Sequence, residues 1–194
     1  MAREKRIWFP GAAYHIMSRG NYRQNIFHEK EDYQTFLQLL QDTSRRYAFE
    51  LHGYCCMTNH FHLLIATEIV EIWMIMKRLN HLYAAYHNHK YKLSGHLFQG
   101  RYKSCLVKSD AYFLQTSRYI HLNPVKAGIV KHPENYPWSS YGRMIGQDGL
   151  ALVNTEKTLS YFREPREWKY QQFVESSSPY KIEKELEIKK ELGE

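Results

Sequence analysis

Residues 50–67 constrain the fold more than any other stretch of the chain. Positions 50–57 and 60–67 are two runs of strand-forming residues. Only Met57-Thr58-Asn59 joins them, a link short enough to make a hairpin. Side chains alternate faces along a strand, so His60 and His62 project from the same side of the second arm. Two neutral imidazoles on one face can share a divalent cation. A His-x-His pair is a weak signal on its own, because short motifs recur by chance. It gains meaning only from partners elsewhere in the chain.

Periodicity organises the remainder. Residues 12–19 read as a strand ended by Gly20-Asn21, with Tyr14 and Ile16 on one face and His15 and Met17 on the other. Residues 29–47 read as a helix whose face carries Tyr33, Phe36, Leu37, Leu40 and Tyr47, with acids in the first turn and Arg45-Arg46 in the last. A longer helix is expected over 69–89, its apolar stripe lying across the sheet. His81, His87 and His89 fall on it and are expected in solvent. Residues 102–107 read as a strand with Arg101 and Lys103 on one face and Tyr102 on the other. Those cations suit a phosphate platform or a charge-protected sheet edge, and the pattern allows both.

Asp110 is the expected N-cap of a helix running to about Leu122 and ended by Pro124 and Gly128. Tyr119 and Asn123 are four apart and share a face of it. Tyr136-Pro137-Trp138-Ser139-Ser140-Tyr141 reads as a turn with aromatic anchors that closes the core. The order strand, helix, strand, strand, helix, strand, helix predicts an α+β fold: a ferredoxin-like or RRM-like antiparallel sheet with helices on one face. That domain is expected over residues 1–145. A helical extension follows over 146–194, with a Ser176-Ser177-Ser178-Pro179 linker and a solvated Lys/Glu tail from 181 onward.

Composition narrows the partners. Hydrophobic residues make up 43% of 194 positions, enough for a sizeable core. The net charge of +7 with 16 tyrosines favours nucleic acid, since phosphates seek Lys and Arg while bases stack on rings. Arg19 and Arg23, in the turn after the first strand, are candidate phosphate contacts. No apolar run reaches the roughly 18 residues of a membrane span, and no signal peptide is read at the N-terminus. A cytoplasmic, nucleoid-associated protein is expected. Cys55, Cys56 and Cys105 match no zinc or disulfide spacing and read as reduced small hydrophobes.

Four segments together resemble one family. They are His60-Phe61-His62, Gly95-His96-Leu97-Phe98-Gln99-Gly100-Arg101-Tyr102-Lys103-Ser104, Tyr119-Ile120-His121-Leu122-Asn123-Pro124-Val125-Lys126-Ala127-Gly128, and the Tyr136–Tyr141 turn. In this order they look like the single-tyrosine HUH transposases, and among those the REP-associated tyrosine transposases. The resemblance covers about residues 8–145. It implies a Tyr119 nucleophile, a Mg²⁺ or Mn²⁺ ion held by His60, His62 and Asn123, and a 5′-phosphotyrosine intermediate. It also implies a single-stranded DNA substrate, with hairpin ends in some members, and a possible homodimer. Arg19, Arg23, Arg101, Lys103 and Lys126 are the expected DNA contacts, with Arg3, Lys5 and Arg6 available for hairpins. The alternatives are a domesticated relative with a host role, and a non-catalytic single-strand binder on an RRM-like sheet.

Overall fold

The computed structural model describes residues 7–176 and 187–193. A four-stranded antiparallel sheet of β1 (Ala12–Arg19), β2 (Phe49–Met57), β3 (His60–Thr67) and β4 (Lys103–Leu106) lies at its centre, in the order β2-β3-β1-β4. Helix α1 (Lys30–Tyr47) joins β1 to β2, α2 (Ile72–Tyr91) joins β3 to β4, and α3 (Asp110–Lys126) follows β4. This is the ferredoxin-like arrangement that the periodicity predicts.

The helices do not all share one face, contrary to expectation. On β3, Phe61, Leu63 and Ile65 pack in a core with Phe36 and Leu40 of α1 and Met76, Leu79 and Tyr83 of α2. Leu64 and Ala66 alternate with them and pack in a second core with Phe113, Tyr119 and Ile120 of α3. A strand that is apolar on both sides needs cover on both sides, so α3 takes the opposite face. Cys55 and Cys56 divide between the two cores in the same way, and all three cysteines are free.

Asp32 ties α1 to α2. Its fully buried carboxylate accepts hydrogen bonds from Tyr91 Oη (2.7 Å), Tyr86 Oη (2.9 Å), Lys90 Nζ (2.9 Å) and the His28 amide (2.8 Å). It also forms a capping box with Glu29 at the start of α1. Burial works to raise this carboxyl's pKa. The bonds from Tyr91, His28, Lys90 and Tyr86 outweigh it and hold the group well below the usual carboxylate range. His87 belongs to the same clasp. It is buried, with Nε2 3.2 Å from His28 Nε2, and is not the solvated residue that helix geometry suggested. His81 and His89 are exposed as expected.

The Tyr136–Tyr141 turn seals the open edge of β2. Cys56 N donates to Trp138 O (2.9 Å), Ser140 N to Tyr54 O (3.0 Å) and Tyr136 Oη to Cys56 O (2.7 Å). Trp138 stacks on Tyr33 with ring centres 4.5 Å apart. A covered edge removes a template for unwanted pairing. Beyond it come the single turns α4 (Tyr141–Met144) and α5 (Glu156–Leu159), then α6 (Arg166–Glu175), whose Tyr170 and Val174 are fully buried in the first core.

Several boundaries move. Helix α2 begins at Ile72 rather than 69. The N-cap of α3 is Ser109, not Asp110, because Ser109 Oγ accepts from Tyr112 N (3.2 Å). That helix also runs through Pro124 instead of stopping there. Proline forfeits one helical bond, yet the end is closed beyond it by Ile129 N to Pro124 O (2.9 Å) and Gly128 N to Val125 O (3.0 Å). Gly128 supplies the left-handed residue (φ 69°) that this closure needs. The charged tail is not simply solvated. Residues 187–192 are helical, and Ile188 and Leu192, four apart, are fully buried against the second core. The expected contacts of Arg3, Lys5 and Arg6, and the linker at 177–179, lie outside the described residues.

Candidate active site

The hairpin tip carries the first half of the site. Thr58 and Asn59 form the turn, and Met57 pairs with His60 across it. The loop after β1 clasps this tip. Gly20 N donates to Asn59 O (2.8 Å), and Ile26 N and Phe27 N both donate to Thr58 O (2.9 and 3.0 Å). A Cβ at Gly20 would sit 2.2 Å from the Gln24 carbonyl oxygen, so only glycine fits this approach. Asn59 Nδ2 donates to Arg23 O (3.0 Å), which orients the amide and turns its Oδ1 to His60 Nδ1 (2.6 Å). An amide oxygen can only accept, so the His60 proton is on Nδ1 and Nε2 keeps its lone pair.

His62 lies beside His60 on the α3 face, with ring centres 5.1 Å apart and planes at 89°. Its Nδ1 is 3.0 Å from Nε2 of His15 on β1. Tyr119 of α3 closes the group: its ring centre is 5.6 Å from His62 and 5.7 Å from His15, edge to face with both. Tyr119 is 1% exposed. Lys126 Nζ lies over its ring, 5.2 Å from the centre. Asn123 Nδ2 donates to the Tyr119 carbonyl (2.8 Å), which leaves Oδ1 as the side-chain atom able to hold a cation.

Burial keeps these imidazoles neutral. It pushes His15 down to about 3. His60 falls to about 4 through burial and then the Arg19 charge. His62 is held well below the ordinary value by burial, then by His60, His15 and Arg19. Neutral imidazole is the ligand form at pH 7. Among the described residues no group of three or more His, Cys, Asp or Glu side chains gathers to hold a metal ion. His60 and His62, side by side, and Asn123, four residues beyond Tyr119 on α3, are the residues that could hold one: imidazoles and an amide oxygen suit a divalent cation that accepts mixed N and O ligands.

A second polar network braces α3 from behind. His121 is fully buried, with Nδ1 2.6 Å from Tyr170 Oη on α6 and Nε2 2.7 Å from Ser140 Oγ. Tyr170 Oη also meets Ser117 Oγ at 2.6 Å. Arg118 reaches the C-terminal end of α6, with Nε to Phe173 O (3.3 Å) and Nη2 to Ser176 O (2.9 Å). There its charge complements the helix dipole. These contacts set the position of α3, and therefore of Tyr119.

Burial pushes His121 down to about 3 as well. The linkage sign follows: below the unfolded value near 6.5 the unfolded chain takes protons that the folded chain refuses, so stability falls as pH falls. Each such group costs about 1.4 kcal/mol per pH unit in that window. His15 and His121, both 0% exposed, are therefore expected to remove about 4 kcal/mol between pH 7 and pH 5. Urea unfolding at the two pH values measures it, and equal stabilities would refute the neutral buried pair.

The five cations named from sequence fall into two groups. The antiparallel register places Arg19 opposite His60, and Lys103, opposite Met17, near the same end of the sheet. Arg23 sits in the loop that clasps Asn59, and Gln99 N donates to Arg19 O (2.8 Å), so the segment leading to Arg101 approaches that end too. Arg101 lies before β4 rather than on it. With Lys103 it lines an open cleft of about 1340 Å³ that also holds Trp8, Trp73, Lys77 and Lys108. Lys103 Nζ donates to Gly193 O (3.1 Å). Lys126 alone sits against Tyr119.

Sequence reasoning misses His15, His121, Ser140 and Tyr170. Only His15 carried a usable sign, its place on the same β1 face as Met17. That sign means nothing until β1 is known to pair with β3.

A family model described as "Transposase IS200 like" matches residues 9–123. A relative from Haemophilus influenzae, provisionally named a REP-associated tyrosine transposase, is 28% identical over 122 residues, spanning 56% of this chain and 68% of the relative. The solved structure of a REP-associated tyrosine transposase bound to a REP hairpin superposes with a TM-score of 0.65 at 17% identity, covering 79% of this chain and 98% of that one. That likeness shows the shared fold. With more than half its length inside the family model, the chain belongs to the IS200-like transposase family and resembles the REP-associated tyrosine transposases within it.

Proposed function

We propose that this protein is a metal-dependent enzyme that nicks and rejoins single-stranded DNA bearing hairpin ends. One observation carries the reading: a tyrosine ring from α3 stands 5.6 Å from the second histidine of a strand-borne pair. A binding platform would need stacking rings and cations, but not two neutral, oriented imidazoles against a buried phenol. The REP hairpin bound in the solved transposase structure of similar fold supports a hairpin-ended strand as substrate.

Tyr119 is the nucleophile in this reading. Its oxygen bonds to the scissile phosphorus as the 3′ oxygen leaves, giving a 5′-phosphotyrosine and a free 3′-hydroxyl, with the phenol proton passing to solvent or the leaving oxygen. One phosphodiester replaces another, so a second 3′-hydroxyl can reverse the step and join new ends without ATP. His60, His62 and Asn123 Oδ1 are the residues that would hold Mg²⁺ or Mn²⁺, which when bound polarises a phosphate oxygen. Lys126 and Arg19 place positive charge around the scissile phosphate. Arg23, Arg101 and Lys103 extend that charge along the same end of the sheet and guide the strand. Tyr119 is nearly fully buried, so entry of the strand requires neighbouring groups to move aside.

The test is direct. Labelled single-stranded DNA with a hairpin end is incubated with the protein and Mn²⁺, then denatured in SDS. A DNA–protein adduct that survives denaturation, and that EDTA prevents without loss of hairpin binding, is the expected result. A strand that binds but never forms an adduct with either metal would leave a binding protein.

A further inference from the structure

We propose that His15 is a positioning residue that accepts the Nδ1 proton of His62 and so lets His62 turn Nε2 to the metal. The proposal rests on the metal reading of the site. Cross-strand register places His15 opposite Leu64 and Met17 opposite His62, so His15 and His62 are diagonal neighbours on the α3 face. Their rings meet at 3.0 Å between Nε2 of His15 and Nδ1 of His62, with centres 5.1 Å apart. Both residues are 0% exposed, which keeps bulk water from competing for the contact.

A neutral imidazole carries one N–H and one lone pair. For His62 to offer Nε2 to a cation, its proton must be on Nδ1. That proton then points at His15 Nε2, which must accept it, so the proton of His15 lies on its own Nδ1. In the reverse arrangement His15 donates, His62 carries its proton on Nε2, and the ligand position is blocked. The choice therefore belongs to the two rings jointly. His60 is different: its partner is the amide oxygen of Asn59, which can only accept. Nothing comparable locks His15, because its Nδ1 is buried and has no hydrogen-bond partner among the described residues. The tautomer is thus set by what binds at His62, and His15 supplies the acceptor that lets it bind. Metal-ligating histidines commonly depend on such a partner for ring orientation and basicity.

Two variants separate this role from packing. His15→Phe keeps a buried ring and removes the acceptor; His15→Gln restores an acceptor as a carbonyl oxygen. Mn²⁺ affinity is read from the electron paramagnetic resonance of the free ion. His15→Phe is expected to bind about 10- to 100-fold more weakly, with His15→Gln close to the parent protein. In the Mg²⁺-loaded parent protein, long-range ¹H–¹⁵N spectra of labelled histidine are expected to show His62 protonated on Nδ1 only. Thermal unfolding and hairpin binding establish that each variant folds, and if His15→Phe does not, the His62 tautomer and His15→Gln decide. Parent-like Mn²⁺ affinity in His15→Phe, an equal loss in both variants, or an Nε2–H on metal-loaded His62 would overturn the proposal. A parent protein that binds no Mn²⁺ overturns the metal site itself, and this role with it.

Discussion

Replacing Tyr119 with phenylalanine is expected to abolish the covalent DNA adduct and to lower strand cleavage by at least about 10⁴-fold, the scale seen when a nucleophile is removed from an enzyme. The change deletes one oxygen. The ring that packs against His15 and His62 stays, as does the Lys126 contact on its face. Hairpin binding and Mn²⁺ affinity should therefore stay near those of the parent protein, and the loss should fall on the chemical step. Gel analysis of the denatured reaction reads the adduct, and a mobility shift reads binding. The control matters because the chain has 16 tyrosines. An adduct persisting in Tyr119→Phe would place the nucleophile on another residue and overturn the assignment of Tyr119, whatever the metal does.

The second large effect concerns stability rather than chemistry. Asp32→Ala is expected to cost about 4 kcal/mol, because it removes a buried carboxylate and strands several donors aimed at it. For a chain of this size that is a fall of about 10 °C in melting temperature. Tyr86 and Tyr91 are only partly buried and recover some bonding to water, which limits the loss. Asp32→Asn keeps the shape and one acceptor and should lose less than half as much. The clasp is on the α1/α2 face of the sheet, and the histidines and Tyr119 are on the other. At a temperature where the variant is folded, its Mn²⁺ affinity should match the parent's. Calorimetry of Asp32→Ala showing a fall of only a degree or two would mean that the α1–α2 contact is held by apolar packing alone.

The two predictions divide the molecule along its sheet. One face is a conventional core locked by a buried acid. The other carries buried polar rings and a helix held in place by hydrogen bonds from distant segments. Burial of His15 and His121 there lowers their pKa, so this face is expected to lose stability in acid. The same burial keeps the imidazoles neutral, the form that the proposed metal site needs.

Local sequence determined a good deal of this. Alternation along β3 placed His60 and His62 on one face, and the link at Thr58-Asn59 forced the hairpin, because a strand's period of two and a tight turn need no information from elsewhere. The spacing of Tyr119 and Asn123 put them on one side of a helix for the same reason. Tertiary structure alone decided that α3 crosses to the second face, and that the register of β1 on β3 brings His15 to His62. It also decided that His121 would be caught between Tyr170 and Ser140, 49 and 19 residues away. It buried His87 and docked Ile188 and Leu192, where helix and charge patterns had pointed to solvent. The physical reason is common to all of these. Periodicity assigns a side chain to a face, but what covers that face depends on strand order and on the competition of distant segments for the same apolar surface.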